Sequence, residues 1–194
     1  MDHINLIDLP SKIFVTGIGT GVGKTVASAS LCKYYGYSYW KPIQSGDLDN
    51  SDSDVIRKSN PGIFIYPEQF RLNTPMSPHA SAAIDGVYIY PQDFHLPDAD
   101  KLCVEGAGGI MVPINEEQTM LDLVKHLDIP VVLVIRDYLG CINHSLLSLM
   151  ALQQNQIEVA AIIFNGAFTA STLAYLQNKT ESMPAIYLPE LEEN

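Results

Sequence analysis

Residues 13–25 read Ile13-Phe14-Val15-Thr16-Gly17-Ile18-Gly19-Thr20-Gly21-Val22-Gly23-Lys24-Thr25. An apolar run, which reads as a buried strand, gives way to a loop with glycine at every second position. The stretch from Lys24 to Tyr35 then has helical character. Glycines let the backbone curl so that several amide hydrogens point at phosphate oxygens. The start of the helix adds roughly half a positive charge at the same point. In that setting Lys24 reaches the β- and γ-phosphates of a nucleotide, and the Thr25 hydroxyl suits Mg²⁺. Five residues separate Gly17 from Gly23, one more than in the standard loop of this kind. An ordinary glycine-rich turn is the bland alternative, and Gly-Lys-Thr between a strand and a helix disfavours it.

Outward from this loop, apolar runs alternate with helical patterns. Strands are expected at Tyr37 to Trp40, Leu102 to Val104, Val131 to Ile135, Val159 to Phe164 and Ala185 to Leu188. Helices are expected at Met120 to Leu127, Ile142 to Gln154 and Thr172 to Asn178. Strands separated by helices argue for right-handed βαβ units. The expected fold is therefore α/β, a single-domain P-loop-type fold over residues 1–194, with a mostly parallel central sheet and helices on both faces. Ligands gather at the carboxyl ends of strands in such folds. Gly17, Lys41, Glu105 and Asn165 all fall at strand ends. The region from Pro42 to Pro97 is rich in Ser, Asp, Asn, Pro and Tyr, and reads as long loops with short helices.

The chain has 194 residues, 47% of them apolar and 17% charged, a globular profile and not a disordered one. Eleven basic against 22 acidic residues give a formal net charge of −11. Such a surface repels nucleic acid and anionic lipid, so neither is an expected partner. Cys32, Cys103 and Cys141 are widely spaced and fit a reducing compartment. Met1 to Ser11 lacks the pattern of a secretory signal, and no apolar run is long enough to span a bilayer. A soluble cytoplasmic protein is expected.

Mg²⁺ needs acidic ligands facing the phosphates. Glu105 ends a strand and enters Glu105-Gly106-Ala107-Gly108-Gly109, where small residues let backbone approach a ligand. Asp52 and Asp54 lie on a segment that starts a helix. Either one serves as a ligand or as a simple N-cap.

The blocks Val15 to Thr25, Lys41-Pro42-Ile43-Gln44-Ser45-Gly46, Glu105 to Gly109 with Pro113, and Leu139-Gly140-Cys141-Ile142-Asn143-His144 together closely resemble the dethiobiotin synthetase family. The resemblance runs from about residue 12 to 190, and the Lys-Pro-x-x-Ser-Gly block is its most specific part. It implies a ligase that forms C–N bonds. Such an enzyme closes the ureido ring of dethiobiotin from diaminopelargonic acid, CO₂ and ATP with Mg²⁺, through a carbamate and a carbamic–phosphoric anhydride.

By resemblance, Lys24, Lys41 and Thr20 are the catalytic residues. Gly19, Thr20, Gly21, Val22, Gly23, Lys24, Thr25 and Val26 hold the nucleotide phosphates, and Asn165 contacts the adenine. Thr25, Asp52 and Glu105 ligate Mg²⁺, with Ser51-Asp52-Ser53 the better match to the family's register. Lys41, Ser45 and Gly108 line the diamine site. The backbone around Gly140, Cys141 and Ile142, with the side chains of Asn143 and Tyr175, receives the substrate carboxylate from the neighbouring subunit of a homodimer. The family usually continues through a further helix near the nucleotide base, so fewer base contacts are expected from the C-terminal tail here. The competing expectation is a deviant P-loop switch ATPase of the partition or septum-site type. That group carries a lysine near the start of the loop, and positions 17–22 contain none.

Overall fold

The computed structural model describes residues 7–190. Residues 1–6 and 191–194, which the single-domain expectation includes, lie outside the described residues. The chain runs β1 (Lys12–Gly17), α1 (Lys24–Tyr35), β2 (Ser38–Trp40), β3 (Ile43–Ser45), α2 (Asp52–Ser59), β4 (Ile65–Tyr66), β5 (Phe70–Leu72) and α3 (Pro78–Asp85). A short 3₁₀ turn (Pro91–Asp93) leads to β6 (Leu102–Gly109), α4 (Met120–Leu127), β7 (Val131–Ile135), α5 (Cys141–Gln154), β8 (Val159–Asn165), α6 (Ala170–Lys179) and β9 (Ala185–Leu188). Seven strands form one sheet in the order β4-β2-β6-β1-β7-β8-β9. Every strand pair in it is parallel.

All five residues of β7 are buried, as are six of the seven in β8. Strands covered on both faces read as continuous apolar runs, which is why the sequence marks them so clearly. From β1 the chain moves outward to β2, returns through β6, and then crosses to β7, β8 and β9 on the other side. That reversal of direction opens a crevice at the carboxyl end of β1. Gly17, Lys41 and Glu105 meet there.

The region from Pro42 to Pro97 departs from the loop expectation. It contains β3 and β5, which pair in parallel as a separate two-stranded sheet, with Ile43 opposite Phe70 and Ser45 opposite Leu72. It also contains β4, which extends the main sheet beyond β2. Strands of two or three residues are too short to display a period of two. The strand expected to stop at Val104 continues to Gly109, where Gly17 pairs with Gly109 after a register shift. The run from Gly106 to Gly109 has no large side chain to signal it. Among the described residues, no helix is long and apolar enough to cross a membrane.

Candidate active site

The site starts with a helix whose N-terminus has no protein cap. Ser51 caps α2 in a reciprocal box with Asp54, and at the start of α4 the Asp122 carboxylate accepts from the Thr119 amide and hydroxyl. Helix α1 has Gly23 at its N-cap, at φ 86°, with no capping side chain and no acid in its first turn. Its first amides are left for an anion. Only glycine fits at position 23. Its backbone is left-handed, and an added Cβ would overlap the Asn165 carboxamide. That carboxamide is buried and donates through Nδ2 to the Val22 carbonyl at 3.0 Å. Asn165 therefore braces the phosphate loop from the end of β8, with its amide nitrogen engaged.

Lys24 folds back to the Gly19 carbonyl at 3.3 Å. Burial lowers its pKa, and the nearby Lys41 adds to this, against the opposing pull of Glu105 and Asp52. In the turn after it, the Thr25 hydroxyl lies 2.8 Å from Asp52 Oδ1 and 3.0 Å from Glu105 Oε1. Lys41 bridges the same two acids, at 2.5 Å from Asp52 Oδ2 and 3.2 Å from Glu105 Oε1. Lys41 and Glu105 are both almost fully buried. Burial alone would lower the Lys41 pKa, but Glu105 and Asp52 outweigh it and hold the ammonium above its ordinary value. Burial would likewise raise Asp52, but the charge and hydrogen bond of Lys41, with the Thr25 hydrogen bond, hold it below the usual carboxylate range.

The structure separates the two aspartates. Asp52 opens α2 and faces Thr25 and Lys41. Asp54 accepts from the Ser51 amide and hydroxyl at 3.1 and 2.9 Å, and pairs with Arg57. Its carboxylate serves as the cap.

A cavity of about 700 Å³ opens over this cluster, walled by Thr20, Lys24, Lys41, Ser45, Asp52 and Glu105. The Ser45 hydroxyl is buried and, among the described residues, has no hydrogen-bond partner. Such a group costs about 1–3 kcal/mol unless something binds it, so it is available to a ligand. Gly108 floors the same cavity at φ 65°, and a Cβ there would press to 2.7 Å from Val112. Thr20 and Gly21 are exposed at the loop's tip, and Gly19 and Val26 are half-buried.

Thr25, Asp52 and Glu105 present oxygen donors only. Mg²⁺ takes hard oxygen ligands, usually one or two carboxylates with phosphates and water. The donor set fits Mg²⁺ on that chemistry. Among the described residues, no three His, Cys, Asp or Glu gather into a group that could hold a metal ion.

The other half of the expected substrate site lies elsewhere. Gly140, Cys141 and Ile142 line a separate crevice with Asp137, Phe168 and Thr169. Asn143 is exposed on the first turn of α5, and Tyr175 is 44% exposed on α6. None of these residues walls the Lys41 cavity. Cys141 is engaged within its own chain. Its amide donates to the Tyr138 carbonyl at 2.9 Å, and its buried thiol donates to Asp137 at 3.4 Å. The turn that starts α5 consumes that amide, which leaves the neighbouring positions to meet a ligand.

Two residues that sequence reasoning passed over belong to the cluster. Gln44 Oε1 accepts from the Asp52 amide at 3.4 Å, and Gln44 Nε2 donates to the Gly46 carbonyl at 3.0 Å. Tyr39 donates its hydroxyl to Glu105 Oε2 at 3.0 Å. Burial and the Glu105 charge push this phenol well above its ordinary pKa. An aromatic residue in a strand gives no sign in sequence that its hydroxyl faces a site.

Comparison with known proteins is consistent with this geometry. A family model described as an AAA domain matches residues 11–192. The ATP-dependent dethiobiotin synthetase BioD of Christiangramia forsetii is 48% identical over 81% of this chain and 77% of its own. The protein of the same name from Brucella ovis is 45% identical over 86% of this chain and 81% of its own. Among solved structures, a nucleotide-binding protein in complex with ADP from Archaeoglobus fulgidus superposes with a TM-score of 0.54 at 14% identity, covering 93% of this chain and 82% of that one. A ParA family ATPase from Chlorobium tepidum gives 0.52 at 15% identity, covering 95% and 86%. Those structures share the fold alone, so the likeness to partition ATPases stops at architecture. With close to half its residues identical to curated synthetases over most of both chains, this chain belongs to the dethiobiotin synthetase family.

Proposed function

We propose that this protein makes dethiobiotin from diaminopelargonic acid, CO₂ and ATP, as a C–N bond-forming ligase of the cytoplasm. The observation that carries the proposal is the cluster of Thr25, Lys41, Asp52 and Glu105, with Lys41 and Glu105 buried, beside the uncapped start of α1. It brings together a phosphate cradle, an oxygen-donor set and a lysine in one cavity.

The reaction runs in three steps. One substrate amine adds to CO₂ and loses a proton, giving a carbamate. A carbamate oxygen attacks the γ-phosphorus and ADP leaves, giving a carbamic–phosphoric anhydride. The second amine attacks the carbamoyl carbon, the C–O bond to phosphate breaks, and phosphate departs as the ring closes. The substrate supplies both nucleophiles, so positioning and electrostatics fall to the protein.

Bringing a carbamate to a triphosphate costs about 4 kcal/mol per pair of unit charges 4 Å apart at an effective dielectric near 20. Lys41, held charged, offsets that repulsion and attracts the carbamate. Lys24 and the α1 amides take the charge that grows on the β- and γ-phosphates. Thr20 and the unpartnered Ser45 hydroxyl donate to the transferring group and the carbamate. Thr25, Asp52 and Glu105 would hold Mg²⁺, which when bound neutralises phosphate charge. Asn165 sits close enough to the loop to orient the nucleotide while bracing Val22.

The substrate carboxylate is received by the backbone on either side of the engaged Cys141 amide, at Gly140 and Ile142, with Asn143 and Tyr175, all of a second subunit in a homodimer with the site at its interface. The separation of these residues from the Lys41 cavity within one chain supports that assignment. The test is phosphate release from ATP, Mg²⁺ and bicarbonate, with and without diaminopelargonic acid, with dethiobiotin followed by mass. Diamine-dependent release with one dethiobiotin per phosphate is expected. Nucleotide binding without diamine-dependent turnover would overturn the proposal.

A further inference from the structure

Tyr39 has no part in the proposed binding or chemistry, yet it reaches the site's most buried acid. It lies in β2 opposite Cys103 of β6, two positions before Glu105. Its ring is fully buried and its hydroxyl donates to Glu105 Oε2 at 3.0 Å. Thr25 and Lys41 both hold the other oxygen, Oε1, at 3.0 and 3.2 Å. The two oxygens of one carboxylate are thus divided, one bound to the scaffold and one turned to the cavity.

That division has a physical consequence. The last torsion of a glutamate is soft, so a carboxylate held through one oxygen alone can swing or offer both oxygens to a cation. Mg²⁺ demands near-octahedral geometry and tolerates such freedom poorly. We infer that Tyr39 is a positioning residue that fixes Glu105 with Oε1 alone facing the cation site. This inference rests on the assignment of Glu105 as an Mg²⁺ ligand. Tyr39 acts through Glu105 and touches neither substrate nor cation.

The test measures Mn²⁺ affinity by electron paramagnetic resonance, on full-length protein with a non-hydrolysable ATP analogue, so that turnover plays no part. Tyr39→Phe keeps the ring and removes only the hydroxyl. It is expected to weaken Mn²⁺ binding roughly 10–100-fold, as loss of an outer-shell partner does, while affinity for the analogue without metal stays unchanged. Tyr37→Phe is the control for buried-tyrosine damage. It removes a hydroxyl that donates to the Pro10 carbonyl at 2.5 Å, away from the site, and should leave Mn²⁺ affinity alone. Adding Tyr39→Phe to Glu105→Gln should cause no further loss, because the partner through which Tyr39 acts is already altered.

Parent-like Mn²⁺ affinity in Tyr39→Phe would overturn the inference, as would an equal loss in Tyr37→Phe or a full further loss in the double variant. Parent-like affinity in Glu105→Gln would overturn the ligand assignment itself, and the inference with it.

Discussion

Around Lys41 the charged side chains are buried or half-buried and held by protein partners, whereas around Leu139 the chain turns apolar side chains to solvent. Lys24, Lys41, Asp52 and Glu105 all have protein partners. Leu139 is fully exposed, and Leu147 and Met150 on α5 are more than half exposed. The first region is a set of polar groups that one chain can assemble and hold in register. The second is a surface that one chain leaves uncovered, and such apolar exposure marks a place where another molecule docks. On the proposed assignment, the phosphate end of the site lies within a single chain, while the carboxylate end would be completed by a second copy.

The largest effect should come from the first region. On the proposed mechanism Lys41→Ala removes the charge that would face the carbamate, and it is expected to lower kcat about 10²–10³-fold, as loss of a transition-state donor does. The same change leaves Asp52 and Glu105 without their shared cation, and breaking a buried pair costs about 3–5 kcal/mol. Thermal unfolding without ligand should therefore fall together with kcat. A normal kcat would separate Lys41 from the chemistry.

Asn143→Ala sharpens the contrast from the other side. Loss of a hydrogen bond to a charged carboxylate is worth about 1.5–3 kcal/mol, so KM for the diamine should rise by roughly 10–100-fold while the nucleotide Kd stays fixed. If nucleotide affinity moved equally, the two ends would not be separate. Leu147→Asp should next shift the protein toward monomer in sedimentation and raise the diamine KM with it. Nucleotide binding should survive in the monomer, because the phosphate end belongs to one chain.

The smallest effect concerns the aspartate that caps and does not face the cavity. Asp54→Ala removes the reciprocal box with Ser51 and should cost about 1 kcal/mol of stability, with little change in turnover. Asp52 and Asp54 are both held below the ordinary carboxylate range. Stability from their ionisation is thus fully present above the unfolded value of about 3.9, and is lost as pH falls through the lowered native values. A melting profile flat in this contribution at neutral pH and falling below about pH 4 is expected, with a shallower fall in Asp54→Asn.

Much of the scaffold was legible in the residues. The bounds of α1, α4 and β7 follow directly from the Gly-Lys-Thr start, the apolar spacing of Leu121, Val124 and Leu127, and the β-branched run at Val131. The two-residue β4 and the three-residue β3 and β5 were not legible, since their pairing depends on partners distant in the chain. In the site, Lys41 stood out through the block that follows it, and Glu105 through the glycines after it. The residue pattern alone left Asp52 and Asp54 both open, and only the register of the resemblance favoured Asp52, the one that faces Thr25 and Lys41. Tyr39 gave no signal because a strand tyrosine packs its ring whatever its hydroxyl meets. The engagement of the Cys141 amide by Tyr138 is a turn geometry that spacing does not encode.

The most direct test of a site shared between two chains is to mix Lys41→Ala protein with Asn143→Ala protein and measure dethiobiotin at diamine far below the KM of the Asn143 variant. Each variant alone carries the same defect at both sites of its dimer. In a mixed dimer one site carries both defects and the other carries neither. Random reassortment should restore activity at about a quarter of all sites, as two-fold symmetry requires. Activity no greater than the sum of the two separate variants, under conditions where sedimentation shows exchanged dimers, would contradict the account.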